Sequence, residues 1–200
     1  MWFPVRCAGC GAQGASPCAR CVEALRAPPV LGAVEGVDEV LALVAYDGVA
    51  APFLTGLKYR NARAALAPFG RAAALLLPPA TPVTWAPTTD ARRRQRGFDQ
   101  AELIARTVTR AAGEPAPTRL LHRLAGPPQT GRSAAERLGR APRFVACGPA
   151  PSRVVVVDDV CTTGATLGAA ARALREAGSE VVVALVIGRT PSPAGVTPIR

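Results

Sequence analysis

Apolar residues along this chain follow two rhythms, one of strands and one of helices, and the rhythm changes where glycines and prolines cluster. The clearest passage spans residues 153–187. Val154–Val157 is an unbroken run of β-branched residues and predicts a strand over Arg153–Val157. A loop is expected over Asp158–Thr163, then a helix over Gly164–Ala177 stopped by Gly178, then a strand over Glu180–Ile187. Two apolar strands joined by one helix make a parallel crossover. The expected fold class is therefore α/β, a mainly parallel sheet flanked by helices.

Upstream, Val40–Tyr46 reads as a strand, Val49–Tyr59 and Ala62–Leu77 as helices, the second ended by Pro78, and Pro82–Ala86 as another strand. Asp99–Ala112 has helical spacing at Ala101, Ile104, Ala105 and Val108, with Gly113 as its stop. Ser133–Gly139 reads as a short helix and Arg143–Ala146 as a short strand. Before all of these, Val22–Arg26 reads as a short helix and Ala27–Gly36, with Pro28 and Pro29, as a linker. The expected division is a four-cysteine unit over 1–26, a linker over 27–36 and one α/β domain over 37–200.

Composition narrows this picture only a little. The chain has 200 residues, 49% of them hydrophobic, enough for one ordinary core and a small appendage. Its apolar runs stop well short of the roughly 20 residues a membrane-spanning helix needs. Trp2, Phe3 and Pro4 followed by cysteines do not resemble a secretory signal, so a cytoplasmic location is expected. The net charge of +10, carried by arginines and the single lysine Lys58, favours phosphate-bearing ligands or nucleic acid without choosing between them.

Cys7 and Cys10 are separated by two residues, as are Cys18 and Cys21. Paired two-residue gaps let both sulfurs of a knuckle face one ion, and Gly9, Gly11 and Gly14 allow tight turns around it. The expectation is a structural zinc ribbon, because four thiolates leave no open position for substrate. A disulfide framework or a redox-active pair is the weaker reading in a reducing compartment. Cys147 and Cys161 read as ordinary small residues.

The valine run ends abruptly in Asp158-Asp159. Burying both carboxylates unpaired would be costly, so they belong at the carboxyl edge of the sheet, where open α/β folds hold ligands. Thr162, Thr163, Gly164, Ala165 and Thr166 follow, small enough for successive backbone N–H groups to converge on an anion at a helix N-terminus. Acids beside a phosphate cradle would repel the phosphate unless they face hydroxyls or a divalent cation on the same ligand, and a ribose 5-phosphate offers both features. Many α/β proteins carry an acidic turn and a threonine-capped helix with no ligand, so spacing alone leaves both readings open.

Val154–Thr166 resembles the 5-phosphoribosyl-1-pyrophosphate (PRPP) signature of type I phosphoribosyltransferases along its full length. The resemblance implies that Asp158 and Asp159 hold the ribose hydroxyls and that Thr162, Thr163, Gly164, Ala165 and Thr166 hold the 5-phosphate. The four cysteines, Leu57-Lys58-Tyr59, the stretch Arg94–Gln100, and Arg123 with Gln129 and Arg137 together resemble the ComF family of phosphoribosyltransferase-like proteins over nearly the whole chain. That family usually has Asn where this chain has Asp99. The resemblance implies a type I phosphoribosyltransferase fold with a small N-terminal zinc ribbon, PRPP with Mg2+ as ligand, and a pyrophosphate-side contact for Lys58, which alone would be an unremarkable surface residue.

Arg92, Arg93, Arg94 and Arg96 form the densest positive run, read as a loop. Guanidinium forks match phosphate oxygens, so the loop is a candidate clamp for pyrophosphate or a nucleic-acid backbone; a solvated face is the bland alternative. His122, the single histidine, reads as structural. As an enzyme the chain would displace pyrophosphate from ribose C1 with a nitrogen nucleophile. The rival readings are a non-catalytic module binding single-stranded DNA during DNA uptake, as the ComF resemblance implies, and a PRPP-sensing regulator. Aromatic residues for stacking on bases are few, 4%.

Overall fold

The computed structural model describes residues 5–30, 32–58, 63–124 and 142–190, with backbone alone at 57, 58, 63 and 64. Among these residues, β1 (Glu39–Ala45), β2 (Val83–Trp85), β5 (Arg153–Cys161) and β6 (Val181–Arg189) form a parallel sheet in the order β1-β6-β5-β2. Because all four run the same way, their carboxyl ends share one edge. Val154–Val157 are fully buried, with Val155 and Val157 in one core and Val154 and Val156 in the other. An apolar run without polar alternation is what a strand covered on both faces requires.

Helices α2 (Ala50–Lys58), α3 (Arg63–Ala74) and α5 (Gln100–Ala112) cover the first face. Helix α6 (Ala165–Glu176) covers the second, with a small antiparallel pair, β3 (Leu121–Arg123) and β4 (Phe144–Ala146). Gly113 ends α5 in the left-handed region as read, while Asp99, read as the first helical residue, is instead its N-cap, its carboxylate accepting from the backbone N–H groups of Ala101 and Glu102. No helix among the described residues is long and apolar enough to cross a membrane.

Several elements depart from the sequence reading. β5 runs on through Asp158 to Cys161, because β6 extends to Arg189 and keeps supplying backbone partners: Asp158 pairs with Val186, Val160 with Gly188 and Cys161 with Arg189. The loop before α6 is correspondingly short. The arginine run is a helix rather than a loop, α4 (Asp90–Arg96), with the Thr89 hydroxyl accepting from Arg92 N–H and Gly97 ending it at φ 77°. Arg93, Arg94 and Arg96 sit in the last turn, where the helix dipole favours them. α3 stops at Ala74, and Leu75–Leu77 continue as tight turns ahead of Pro78. The short helix α1 (Ala19–Glu23) begins earlier than Val22, and β3 was not foreseen. The expected helix over Ser133–Gly139, with Gln129 and Arg137, lies outside the described residues.

The stretch read as a linker is held against the sheet. Arg26 accepts from the Ala45 N–H, Gly32 from the Arg189 side chain, and Gly36 from Arg175, while Val34 is buried beside α6.

Candidate functional site

At the carboxyl edge Asp158 and Asp159 are half-buried, each turned onto the backbone that follows it. Asp158 Oδ1 accepts from Asp159 N–H at 2.8 Å and Asp159 Oδ1 accepts from Val160 N–H at 2.8 Å. Burial, and next the charge of Asp159, push the Asp158 carboxyl well above its ordinary range. A pair held this way is stabilised by whatever brings positive charge or hydroxyl donors to it.

The next residues open outward. Thr162, Thr163 and Ala165 are exposed and Thr166 is half-buried, so the N–H groups that start α6 lie on an accessible face. Gly164 makes the turn possible for two reasons. Its φ of 78° is strained for any side chain, and a Cβ there would come within 2.8 Å of Val34 Cγ2. Thr190, just past β6, ties the loop down: its N–H donates to Cys161 O and its hydroxyl to Thr162 O. The five loop residues and both acids named from the sequence are thus brought together at the end of one strand.

On the β2 side of the edge, Asp99 is buried and spends both oxygens on backbone. Oδ2 accepts from Thr88 N–H at 2.8 Å while Oδ1 caps α5. Burial raises its carboxyl above the ordinary value against the pull of those N–H groups. Asp99 is therefore a hydrogen-bond acceptor here. Of the arginines on α4, Arg93 reaches Glu102 at 3.5 Å, which Arg106 also engages, while Arg92 and Arg94 are exposed and Arg96 half-buried. Gln100 donates to Leu54 O at 3.3 Å and so joins α5 to α2. Lys58 ends α2; its side chain lies outside what is described.

Arg123 carried no role in the sequence reading beyond its place in a resemblance. It ends β3 opposite Phe144, whose ring lies 5.7 Å from its guanidinium carbon. Burial and then Arg92 lower its affinity for the proton, and Asp158 and Asp99 oppose them. Nothing local in Leu-His-Arg marks the residue. His122 beside it meets Arg119 at 3.1 Å through Nδ1.

The cysteines form a second centre. The sulfurs of Cys7, Cys10, Cys18 and Cys21 all lie within 4.8 Å of one another, with Cys7 to Cys21 at 3.7 Å and Cys10 to Cys18 at 3.6 Å. Sulfurs about 2.3 Å from a tetrahedral ion would be roughly 3.8 Å apart, so the four thiols fit a metal ion. Burial works to raise the Cys7 thiol, but N–H groups of Cys10, Cys18 and Gly9 outweigh it and bring it down to about 6. Burial and hydrogen bonds from the other thiols push Cys21 up to about 12. Cys161 is apart from this cluster and buried, its thiol raised by burial, which makes it a poor nucleophile.

The fold is an α/β domain with an acidic strand end and a threonine-glycine turn into a helix, and comparison with known proteins matches this segment. Residues 141–196, which contain the acids, the loop and α6, match the family described as phosphoribosyl transferase domain. Orotate phosphoribosyltransferase from Bacillus caldolyticus is 42% identical over 85 residues, covering 42% of this chain and 40% of that protein. The chain is thus a distant relative that matches less than half the length of that enzyme.

Proposed function

We propose that this chain binds PRPP at the carboxyl edge of β5 and transfers its phosphoribosyl group to a nitrogen nucleophile. The observation that carries the reading is the continuity of half-buried Asp158 and Asp159 with the exposed turn Thr162–Thr166 at the head of α6. In this reading the acids accept from the ribose 2- and 3-hydroxyls, and the N–H groups and hydroxyls of Thr162, Thr163, Gly164, Ala165 and Thr166 enclose the 5-phosphate. Lys58 and the arginines of α4, Arg92, Arg93, Arg94 and Arg96, are the candidate partners of the pyrophosphate. Mg2+ would be held with PRPP beside the acid pair and would neutralise charge on the departing group. The nucleophile's lone pair forms the bond to C1, the C1–O bond breaks, and its electron pair leaves with pyrophosphate while the nitrogen loses its proton to solvent. Positioning and electrostatics supply the acceleration.

The four-cysteine cluster holds structural Zn2+ in this reading, and the protein is a ComF-type phosphoribosyltransferase-like protein. Calorimetric titration with PRPP and Mg2+ tests the ligand. Binding is expected in the wild type and is expected to fall by at least tenfold in Asp158→Asn/Asp159→Asn; an unchanged isotherm would remove the site. Pyrophosphate release over a panel of acceptors that includes orotate, the acceptor named by the relative, tests turnover.

The exposed Arg92 and Arg94 on α4 favour a second reading, in which the chain binds single-stranded DNA without catalysis. Binding to a labelled strand should then weaken steeply with salt and be lost in Arg92→Ala/Arg94→Ala.

A further inference from the structure

Arg189 ends β6 at the carboxyl edge of the sheet and is only 5% exposed. One terminal nitrogen of its guanidinium donates to Gly32 O at 3.0 Å, while the other, Nη1, is buried with no partner among the described residues. No carboxylate balances its charge there either, since the ion pairs of the described arginines belong to Arg93, Arg106, Arg172 and Arg175. A buried cation with an idle donor and no counter-charge weakens a folded state. Packing alone therefore gives no account of Arg189.

What Arg189 holds lies against the threonine turn. Its backbone pairs with Cys161, the residue before Thr162, and the side chains of such a registered pair stand on the same face of the sheet. Gly32 is two residues ahead of Val34, which packs on the turn: a Cβ on Gly164 would meet Val34 Cγ2 at 2.8 Å, and one on Gly168 would meet Glu35 O at 3.1 Å. Exposed groups fasten the downstream part of this strap to α6, Arg172 to Glu35 and Arg175 to Gly36 O and Asp38. Arg189 fastens its upstream end from inside the protein. The next residue, Thr190, donates its hydroxyl to Thr162 O, so one strand end fixes the turn at Thr162 directly and at Gly164 through the strap. We propose that Arg189 is a positioning residue for the Thr162–Thr166 turn: by holding Gly32 it seats Val34 against Gly164, and its unbalanced charge is offset when a phosphate monoester occupies the turn. This deepens the ligand reading above and rests on it.

Ribose 5-phosphate with Mg2+ is titrated calorimetrically into the full chain and into Arg189→Met, Arg189→Lys, Val34→Ala and the double variant Arg189→Met/Val34→Ala, with urea unfolding of each. Arg189→Met should keep or raise the urea midpoint, because it removes an idle buried donor and an unbalanced charge. It should nonetheless bind about tenfold weaker, the loss expected when the turn is seated about a tenth of the time. Arg189→Lys, which keeps the charge and a donor for Gly32 O, should recover most of the affinity. Val34→Ala should weaken binding too, and the double variant should lose less than the product of the two single losses, since both changes unseat the same turn. A lowered midpoint or a failure of Arg189→Met to fold would show a role in stability and overturn the proposal. Arg189→Lys binding no better than Arg189→Met, or single losses that simply multiply, would overturn it as well. A folded Arg189→Met that binds as tightly as wild type would overturn this inference alone; wild type that binds no ribose 5-phosphate would overturn the ligand reading beneath it.

Discussion

Single residues decide whether the edge of β5 can take a ligand, and two of them make opposite demands on the fold. Gly164 satisfies a backbone at φ 78° and leaves room for Val34, so Gly164→Ala should cost about 1–3 kcal/mol in urea unfolding. The steric part of that cost should shrink when Val34→Ala is combined with it, while the backbone part remains. A double-mutant cycle that is strictly additive would show that Val34 plays no part. Asp158 works against stability. Its folded carboxyl holds its proton more tightly than the unfolded chain does, owing to burial and Asp159, so its contribution is fully favourable below the ordinary Asp value of about 4 and is lost as pH rises through the folded value. Asp158→Asn should therefore raise the thermal midpoint at pH of about 8, with the gain fading as pH falls toward about 4. Melts across that range check the sign, and a gain that grows on acidification would reverse the argument.

At the scale of elements, α5 shows how a local cap can serve the site at a distance. Asp99 joins the start of α5 to Thr88, the residue that carries the chain from β2 toward α4, so losing it loosens the approach to the arginine helix as well as the cap. Asp99→Ala should cost about 1–2 kcal/mol by chemical denaturation, the upper part of the range for a lost N-cap. Asp99→Asn should cost less than half as much, since an amide oxygen can still accept. Equal costs for the two would mean that the cap is not what holds this corner.

The whole molecule joins its two centres through α2. Cys7 and Cys21 lie in the same core as Phe53 and Leu54, and a Cβ on Gly9 would meet the Phe53 ring at 2.5 Å. Leu54 in turn sits over Gly188 near the end of β6 and accepts from Gln100. The cysteine unit is thus a prop for the helix that ends in Lys58. Removing metal with a chelator is expected to lower the thermal midpoint and to speed amide hydrogen exchange in residues 5–26 and in α2 together. Faster exchange confined to 5–26, with α2 unaffected, would show that the cluster is an independent appendage.

Much of this molecule was readable before any coordinates. The fully apolar strand at Val154–Val157, the helix stop at Gly113, and the spacing of Cys7, Cys10, Cys18 and Cys21 express local chemistry, and local chemistry is carried by neighbours in the chain. Placing the acids on the strand itself, rather than in a loop after it, required β6 to extend to Arg189, which no property of Asp158 announces. The helix at Asp90–Arg96 was hidden because four arginines look like a solvated loop until Thr89 and Gly97 are seen acting as its ends. Arg123 was the least legible, since nothing in Leu-His-Arg marks it and its place over the Phe144 ring is set only when β3 pairs with β4. Periodicity and spacing determine which elements form and which ions they suit. Which charges meet across those elements is a property of the packed sheet edge, because Coulombic neighbours there are chosen by strand order and not by sequence order.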